Sequence, residues 1–178
     1  MERKMKKFGT GKIKSAGIAL ILRPVLKKDA KMLNGIINDE DVNEFLMVEM
    51  PLSLASTRKV IDEDAKKKLW IAVETGGEVV GSIHLRPGIG RKDVTCSFGI
   101  AFSRKVHGKG VAAAAMRECF NWMRKNGFAT CTAEVFDENS RARKFYRKLG
   151  FREVAHVPNV RRKKNGKLGG EYVIQKNL

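Results

Sequence analysis

A single α/β domain on one mixed, mostly antiparallel central sheet, flanked by about four helices, is predicted by three observations on this sequence. The chain's 178 residues suffice for one domain with a sizeable core and fall short of two ordinary ones. Apolar runs of strand length alternate with segments of helical period, in the order β-α-α-β-β-β-α-β-α-β-β. Two glycine turns, Thr75-Gly76-Gly77 and Asn165-Gly166, lie between strand-like runs, the signal of antiparallel hairpins.

Residues 18–23 (IALILR) are short, apolar and closed by Pro24, which reads as a strand. Residues 28–38 have helical spacing at Ala30, Leu33 and Ile37, weakened by Gly35. The stretch NDEDVNEFLMVEMP has apolar residues to pack but no firm period. Residues 54–68 read as a helix with Ser53 as N-cap and Val60, Ile61 and Ala65 facing inward. Residues 69–74 and 78–85 are the first hairpin. Residues 94–102 (VTCSFGIAF) are a strand in which Gly99 predicts a bulge or a close backbone approach. Residues 111–125 run at helical period through Ala112, Met116, Cys119, Phe120 and Met123, and Gly127 supplies the stop. Residues 129–135 are a strand, and Asn139 caps a helix running to Gly150. Residues 152–176 supply the last two strands.

With 43% hydrophobic and 31% charged residues, the composition is that of a soluble globular protein. The longest apolar runs are far too short to cross a bilayer, so no membrane association is expected. The start, MERKMKKFGTGKIK, is basic without the apolar stretch of a secretory signal. Residues 1–15 read as a loose basic segment ahead of a domain over 16–178. Cys96, Cys119 and Cys131 sit among apolar neighbours with no ligand spacing, which suggests buried free thiols in a reducing cytoplasm and no metal. The formal net charge of +17 favours contact with polyanions such as nucleic acid, a ribosomal surface or a phosphorylated cofactor; a lysine-rich solvated surface accounts for it equally. That charge is uneven. Residues 32–64 carry eight acids against Arg58 and Lys59 and sum to −6, leaving +23 on the rest.

The informative unit is strand, glycine-rich loop, helix: FGIAF-SRKVHGKGVAAAAM. A helix N-terminus offers unsatisfied N–H groups and the positive end of its dipole, which suits an anion such as pyrophosphate. Glycines at 108 and 110 let the backbone approach that anion with no Cβ between them. An ordinary tight turn has the same glycines. The segment lacks GxxxxGK[ST], so it is no P-loop. GxGxxG needs a glycine where Ala113 stands, which leaves only an alanine variant of the dinucleotide fingerprint. The second unit runs Asn139-Ser140-Arg141-Ala142-Arg143-Lys144-Phe145-Tyr146-Arg147-Lys148-Leu149-Gly150-Phe151.

Together the two units resemble the GNAT superfamily of N-acetyltransferases, whose acetyl-CoA loop reads [Q/R]-x-x-G-x-[G/A] and whose later helix reads N-x-x-A-x-x-x-Y-x-x-x-G-F. The second pattern is met in full, and the resemblance covers about residues 18–176. The loop fits two registers, Lys105-x-x-Gly108-x-Gly110 and His107-x-x-Gly110-x-Ala112. The second is adopted, because it leaves the seven residues between Phe102 and Gly110 familiar from the ribosomal-protein alanine acetyltransferases. His107 then stands where Gln or Arg is usual.

The resemblance implies an acetyl-CoA-dependent N-acetyltransferase. Pyrophosphate amides would come from Gly108, Lys109, Gly110, Val111, Ala112 and Ala113. Ile100, Ala101 and Phe102 would pair their backbone with the pantetheine arm, and Asn139 would contact the same arm. Tyr146 corresponds to the general acid at the departing sulfur, and Glu134, twelve residues earlier, to the base position of the alanine acetyltransferases. The plainer readings are a core tyrosine and a solvated strand carboxylate. His84 and His156 read as structural. In such folds the first two helices and their connection wall the acceptor site, which here is the acidic segment. A cationic amine follows: a basic protein N-terminus of ribosomal type first, a polyamine second. A non-catalytic CoA- or RNA-binding module is the third reading, ribosome or RNA association is compatible with the charge, and a dimer is compatible with the sequence.

Overall fold

The computed structural model describes residues 6–15, 17–46, 51–64, 69–163 and 165–178. The strands are β1 (Gly11–Ser15), β2 (Ile18–Pro24), β3 (Trp70–Thr75), β4 (Glu78–Pro87), β5 (Thr95–Phe102), β6 (Thr130–Phe136), β7 (Arg152–Arg162) and β8 (Leu168–Asn177). They form one sheet in the order β1-β2-β3-β4-β5-β6-β8-β7. The helices are α1 (Ala30–Ile37), α2 (Glu40–Asn43), α3 (Leu54–Asp64), α4 (Val111–Lys125) and α5 (Ser140–Lys148). The mixed, mostly antiparallel sheet is as the sequence predicts: every neighbouring pair is antiparallel except β5–β6.

Helices cover both faces of the sheet. α4 and α5 pack over one face through Ala115, Met116, Cys119, Met123 and Tyr146. α1 and α3 pack over the other through Ala30, Leu33, Ile37 and Ile61. This explains why β3 begins as an unbroken apolar run. Ile71 and Val73 enter the first core, Trp70 and Ala72 the second, and a strand covered on both sides needs no polar alternation. In the β3–β4 turn, Gly76 and Gly77 both take positive φ (57° and 81°), the conformation that a two-residue hairpin turn demands.

Several expectations need correction. The basic start is not loose from residue 6 onward. β1 pairs with β2, Phe8 is buried 6.1 Å from the Trp122 ring, and the Trp122 indole donates to the Lys6 carbonyl at 3.1 Å. The open edge of β2 and an indole N–H in need of an acceptor give this segment its partners. Residues 1–5 lie outside the described residues. The stretch without a firm period contains α2, capped by Asp39, whose carboxylate accepts the Asp41 N–H at 3.1 Å. Ser53 does cap α3, accepting from Ser56 N at 3.0 Å. Val60 is exposed, however, and the inward positions are Thr57, Ile61 and Asp64; Ala65 lies outside the described residues. Gly99 makes no bulge: the β4–β5 register runs unbroken, and the Arg86 guanidinium lies over the glycine.

Buried polar groups are paired at two joints. Arg23 grips Asp29 through two hydrogen bonds of 2.7 and 2.9 Å and also reaches Glu74, tying the start of α1 to β2 and β3. Burial alone would raise the Asp29 carboxyl, but the Arg23 and Leu26 donors outweigh it and hold it below its ordinary value. His84 stacks on Trp70 and meets Asp64 at 3.2 Å, and His156 packs on Tyr172, so both have structural surroundings. The three cysteines are free and buried, and burial pushes the Cys96 thiol up to about 12. No described helix is long and apolar enough to cross a membrane.

Candidate active site

β5 and β6 are the parallel pair, and their ladder is short. It joins Thr95–Ser97 to Thr130–Thr132 and then stops, so the two strands part toward their C-terminal ends. Ligands of open α/β sheets favour such places, because the diverging strands leave backbone groups unpaired in a crevice. The β5 residues that bond to β4 alternate with residues that face β6. Gly88 N donates to Thr95 O, and Ser103 N to Val80 O. By that alternation Phe98, Ile100 and Phe102 turn their backbone groups toward the gap, and Ala101 turns its own toward β4.

A cavity of about 540 Å³ fills this opening. Its floor is Ile100, Ala101 and Phe102 from β5 with Glu134, Val135 and Phe136 from β6. One end is the loop of His107, Gly108 and Gly110 with Ala112 and Ala113 of α4. One side is α5 with Asn139, and the far wall is Asp41, Val42, Phe45 and Leu46. Of the predicted site residues, Lys109 and Val111 are not in the lining: the Val111 side chain is in the core and that of Lys109 is exposed.

The loop is shaped by its glycines. Gly108 and Gly110 have φ of 74° and 76°, a region that side chains disfavour. Gly110 is the N-cap of α4 and supplies no capping side chain, and the first α4 bond runs from Ala114 N to Gly110 O at 3.0 Å. The N–H groups of Val111, Ala112 and Ala113 therefore lack a helical acceptor and are donors for an anion, whereas the Lys109 N–H, expected to join them, is already given to Val106 O at 3.3 Å. His107 fastens the loop. Its Nε2 lies 3.0 Å from Phe102 O and its Nδ1 lies 3.2 Å from Arg141 Nη1. Because the guanidinium only donates, Nδ1 is the acceptor and the proton sits on Nε2. The Phe102 carbonyl is thus taken, and Ile100 offers both its groups to a bound chain.

Tyr146 is only 7% exposed yet lines the cavity. Its ring is held edge-on by Phe98 and Phe151, each 5.7 Å away. Burial raises its pKa well above that of a free phenol, with the neighbouring Cys131 adding to the rise, so the hydroxyl stays protonated. Glu134 is an exposed carboxylate on the cavity floor. Asn139 caps α5, accepting from Ala142 N at 3.0 Å, which leaves its amide N–H₂ free of that bond.

Two charged residues near the cavity, outside its lining, were not foreseen. Arg104, just before the loop, reaches across to pair with Asp41, and its Nε lies 3.7 Å from Asp39. The acidic wall is thereby partly neutralised by a residue from the turn that precedes the loop. Glu171 sits on β8 opposite Phe136, on the sheet face that carries Glu134. Its carboxyl is raised by burial first and by the Glu134 charge second. Glu49 of the acidic segment lies outside the described residues.

A splayed strand pair, a glycine-lined helix N-terminus, a buried tyrosine and a carboxylate thus meet on one cavity. Residues 19–152 match the acetyltransferase (GNAT) domain family, and the chain belongs to that family. It is 32% identical over 136 residues to the L-amino acid N-acetyltransferase AaaT of Escherichia coli (strain K12), covering 72% of this chain and 76% of that protein. The ribosomal-protein-alanine N-acetyltransferase of Brucella melitensis superposes with a TM-score of 0.77 at 20% identity, over 88% of this chain and 99% of the other. yncA of Salmonella typhimurium, solved with its cofactor acetyl-CoA, superposes with a TM-score of 0.76 at 17% identity, over 89% and 94%.

Proposed function

We propose that this chain transfers the acetyl group of acetyl-CoA to the α-amine of a small amino-acid-like acceptor. The observation that carries the reading is one continuous cavity that joins the Gly108–Gly110 loop, the splayed β5–β6 floor, Tyr146 and Glu134. The loop amides and glycines fit a pyrophosphate, and the free backbone of Ile100 fits an extended amide-bearing arm. When bound, acetyl-CoA would supply the acetyl group as a thioester, whose carbonyl carbon is open to attack by the amine. Glu134, directly or through a water, takes the proton that the amine must lose. The C–N bond forms as the C–S bond breaks, and Tyr146 gives its proton to the departing sulfur. Glu134→Gln should lower kcat/KM by ~10²–10³ and remove the acidic limb of its pH profile. A variant that keeps that limb means another base, with Glu171 the next carboxylate on that face.

The amino-acid acceptor is preferred to the ribosomal-protein N-terminus because Arg104 already occupies Asp39 and Asp41, which weakens the wall's pull on a cation. The relative AaaT, named for L-amino acids, supports the same choice. The protein N-terminus stands second, on the charge of +17. Thiol release from acetyl-CoA over L-amino acids, polyamines and ribosomal proteins separates the readings, and turnover confined to ribosomal proteins overturns the first. Changing Asp39, Asp41 and Glu44 to their amides should raise the KM of polyamines or basic peptides ~3–10-fold, with little effect on zwitterionic amino acids or acetyl-CoA. A large rise for every acceptor would make the acids direct ligands of the α-amine.

A further inference from the structure

Glu134 and Phe136 project from the same face of β6, and both belong to the cavity floor. The acids of this face are Glu134 and Glu171, and among the described residues neither is in an ion pair. Past them the sign of the charge changes. Arg161 of β7 lays its guanidinium over the Phe136 ring, 4.0 Å from the centroid. It shares a single acid with Lys163: Glu138 takes Lys163 Nζ at 2.6 Å through one oxygen and Arg161 Nη2 through the other. Two cations on one carboxylate leave a positive charge over.

The donors of Arg161 are also underused. Its Nη1 makes one long bond, 3.5 Å to Glu44 O, and its buried Nε has no hydrogen-bond partner among the described residues. A guanidinium has no neutral form to retreat to, so a buried donor left unpaired on it is unfavourable. The residue borders the cavity without lining it. Phe136 beneath it is floor, and Glu44 directly precedes the wall residue Phe45. The cations in the lining itself, Arg141, Lys144 and Lys148, belong to α5, over the sheet face that Ala133 and Val135 enter. Arg161 is on the face of Glu134.

We propose that Arg161 takes the α-carboxylate of the acceptor, an inference that rests on the amino-acid reading above. The amine lies at Glu134, where its proton must leave, and the carboxylate lies toward Phe136. These two positions are one two-residue step of β6 apart, ~6.5–7 Å. An α-amino acid carries amine and carboxylate on one carbon, so it spans that step with a charge-assisted hydrogen bond at each end. The long bond to Glu44 is the one given up as the guanidinium turns to the carboxylate, and Glu138 keeps Lys163 throughout. The site therefore asks for a free carboxylate. A protein N-terminus or a polyamine has none and leaves Arg161 as it stands in the free chain.

Steady-state kinetics at saturating acetyl-CoA, run on the common L-amino acids and their α-amides, test the contact. For the best amino acid, kcat/KM should exceed that of its amide ~10–100-fold, the size of a charge-assisted contact. The amide has the less basic amine, so the chemistry of the free amine would favour it, and the expected preference runs the other way. Arg161→Gln should raise the KM of the amino acid by that factor, with kcat nearly unchanged and the amide unaffected. Arg161→Lys should recover part of the loss, because it restores the charge without the planar fork. Arg162 bonds to the Gly166 carbonyl of its own turn, and Arg162→Gln should keep the wild-type ratio. A wild type that uses amino acids and amides equally overturns the contact, whatever the variants do. So does an Arg161→Gln variant that weakens both alike, which makes Arg161 a support for Phe136 and Glu44. An equal loss in Arg162→Gln reduces the contact to a diffuse field and overturns it too. If neither amino acids nor amides are acetylated while polyamines or ribosomal proteins are, the amino-acid reading itself fails.

Discussion

Gly110→Val should cost acetyl-CoA binding a factor of at least ~100 while the domain remains folded. The residue holds φ at 76°, and a β-branched side chain there is strained by roughly 1–3 kcal/mol. Two escapes are open to the variant, and each damages the site. If the backbone keeps its left-handed turn, the valine side chain projects into the cavity, where no protein atom lies within 4 Å of the Cβ position and an anion would otherwise rest. If the backbone relaxes to negative φ, the N–H groups opening α4 swing away from their common target. Neither escape reaches the core, because Val111, Ala114 and Ala115 already pack beneath the loop. Calorimetric titration should therefore show lost binding with a melting temperature lowered by a few degrees. Unchanged affinity would remove the loop from the donor site, and loss of the near-ultraviolet signal would mean that the fold, not the site, had failed.

The elements whose period is strong were legible in the sequence. α4 begins and ends where its apolar spacing and Gly127 place it, and the Thr75-Gly76-Gly77 hairpin follows from two glycines that must both take positive φ. Elements decided by distant partners were not. β1 is visible only as lysines around Ile13, and it is a strand because β2 has an edge to fill. Val60, one step round the helix from Ile61, is exposed, because the buried face is set by Thr57, Ile61 and Asp64.

The site divides in the same way. Glu134, Tyr146 and the loop lie on one cavity, as two motifs far apart in the chain suggested. The pairing of Arg104 with Asp41 joins residues 63 apart, which no local pattern contains. The α5 face of Arg141, Lys144 and Lys148, which lines the cavity, was within reach, since its i, i+3, i+7 spacing is readable directly. It was hidden by Arg143 and Arg147, because a helix with five cations shows no charged face until Glu153 claims two of them. The paired acid, ten and six residues downstream on β7, is the information that the helix alone lacks.

Tyr146→Phe isolates one atom at the site, and it should lower kcat by ~10²–10⁴ with the KM for acetyl-CoA nearly unchanged. The ring contacts with Phe98, Phe145 and Phe151 survive the change, so the floor of the cavity keeps its shape. Among the described residues the hydroxyl bonds to no other side chain, so its removal should cost the fold little. The pH dependence carries a second signature. Burial raises the phenol's folded pKa above its unfolded value near ~10, so the native state holds this proton more tightly. Stability from this group is then fully present below pH ~10 and lost as the pH rises toward the folded pKa. The phenylalanine variant has no such proton and should resist alkaline unfolding slightly better than the wild type. Its activity should fall across the whole pH range, because the group that donates to the sulfur is gone at every pH. Rapid-mixing measurements on a single turnover place the defect in the chemical step. If that step keeps its wild-type rate, the sulfur receives its proton from water or another group, and Tyr146 is a core residue that happens to border the cavity.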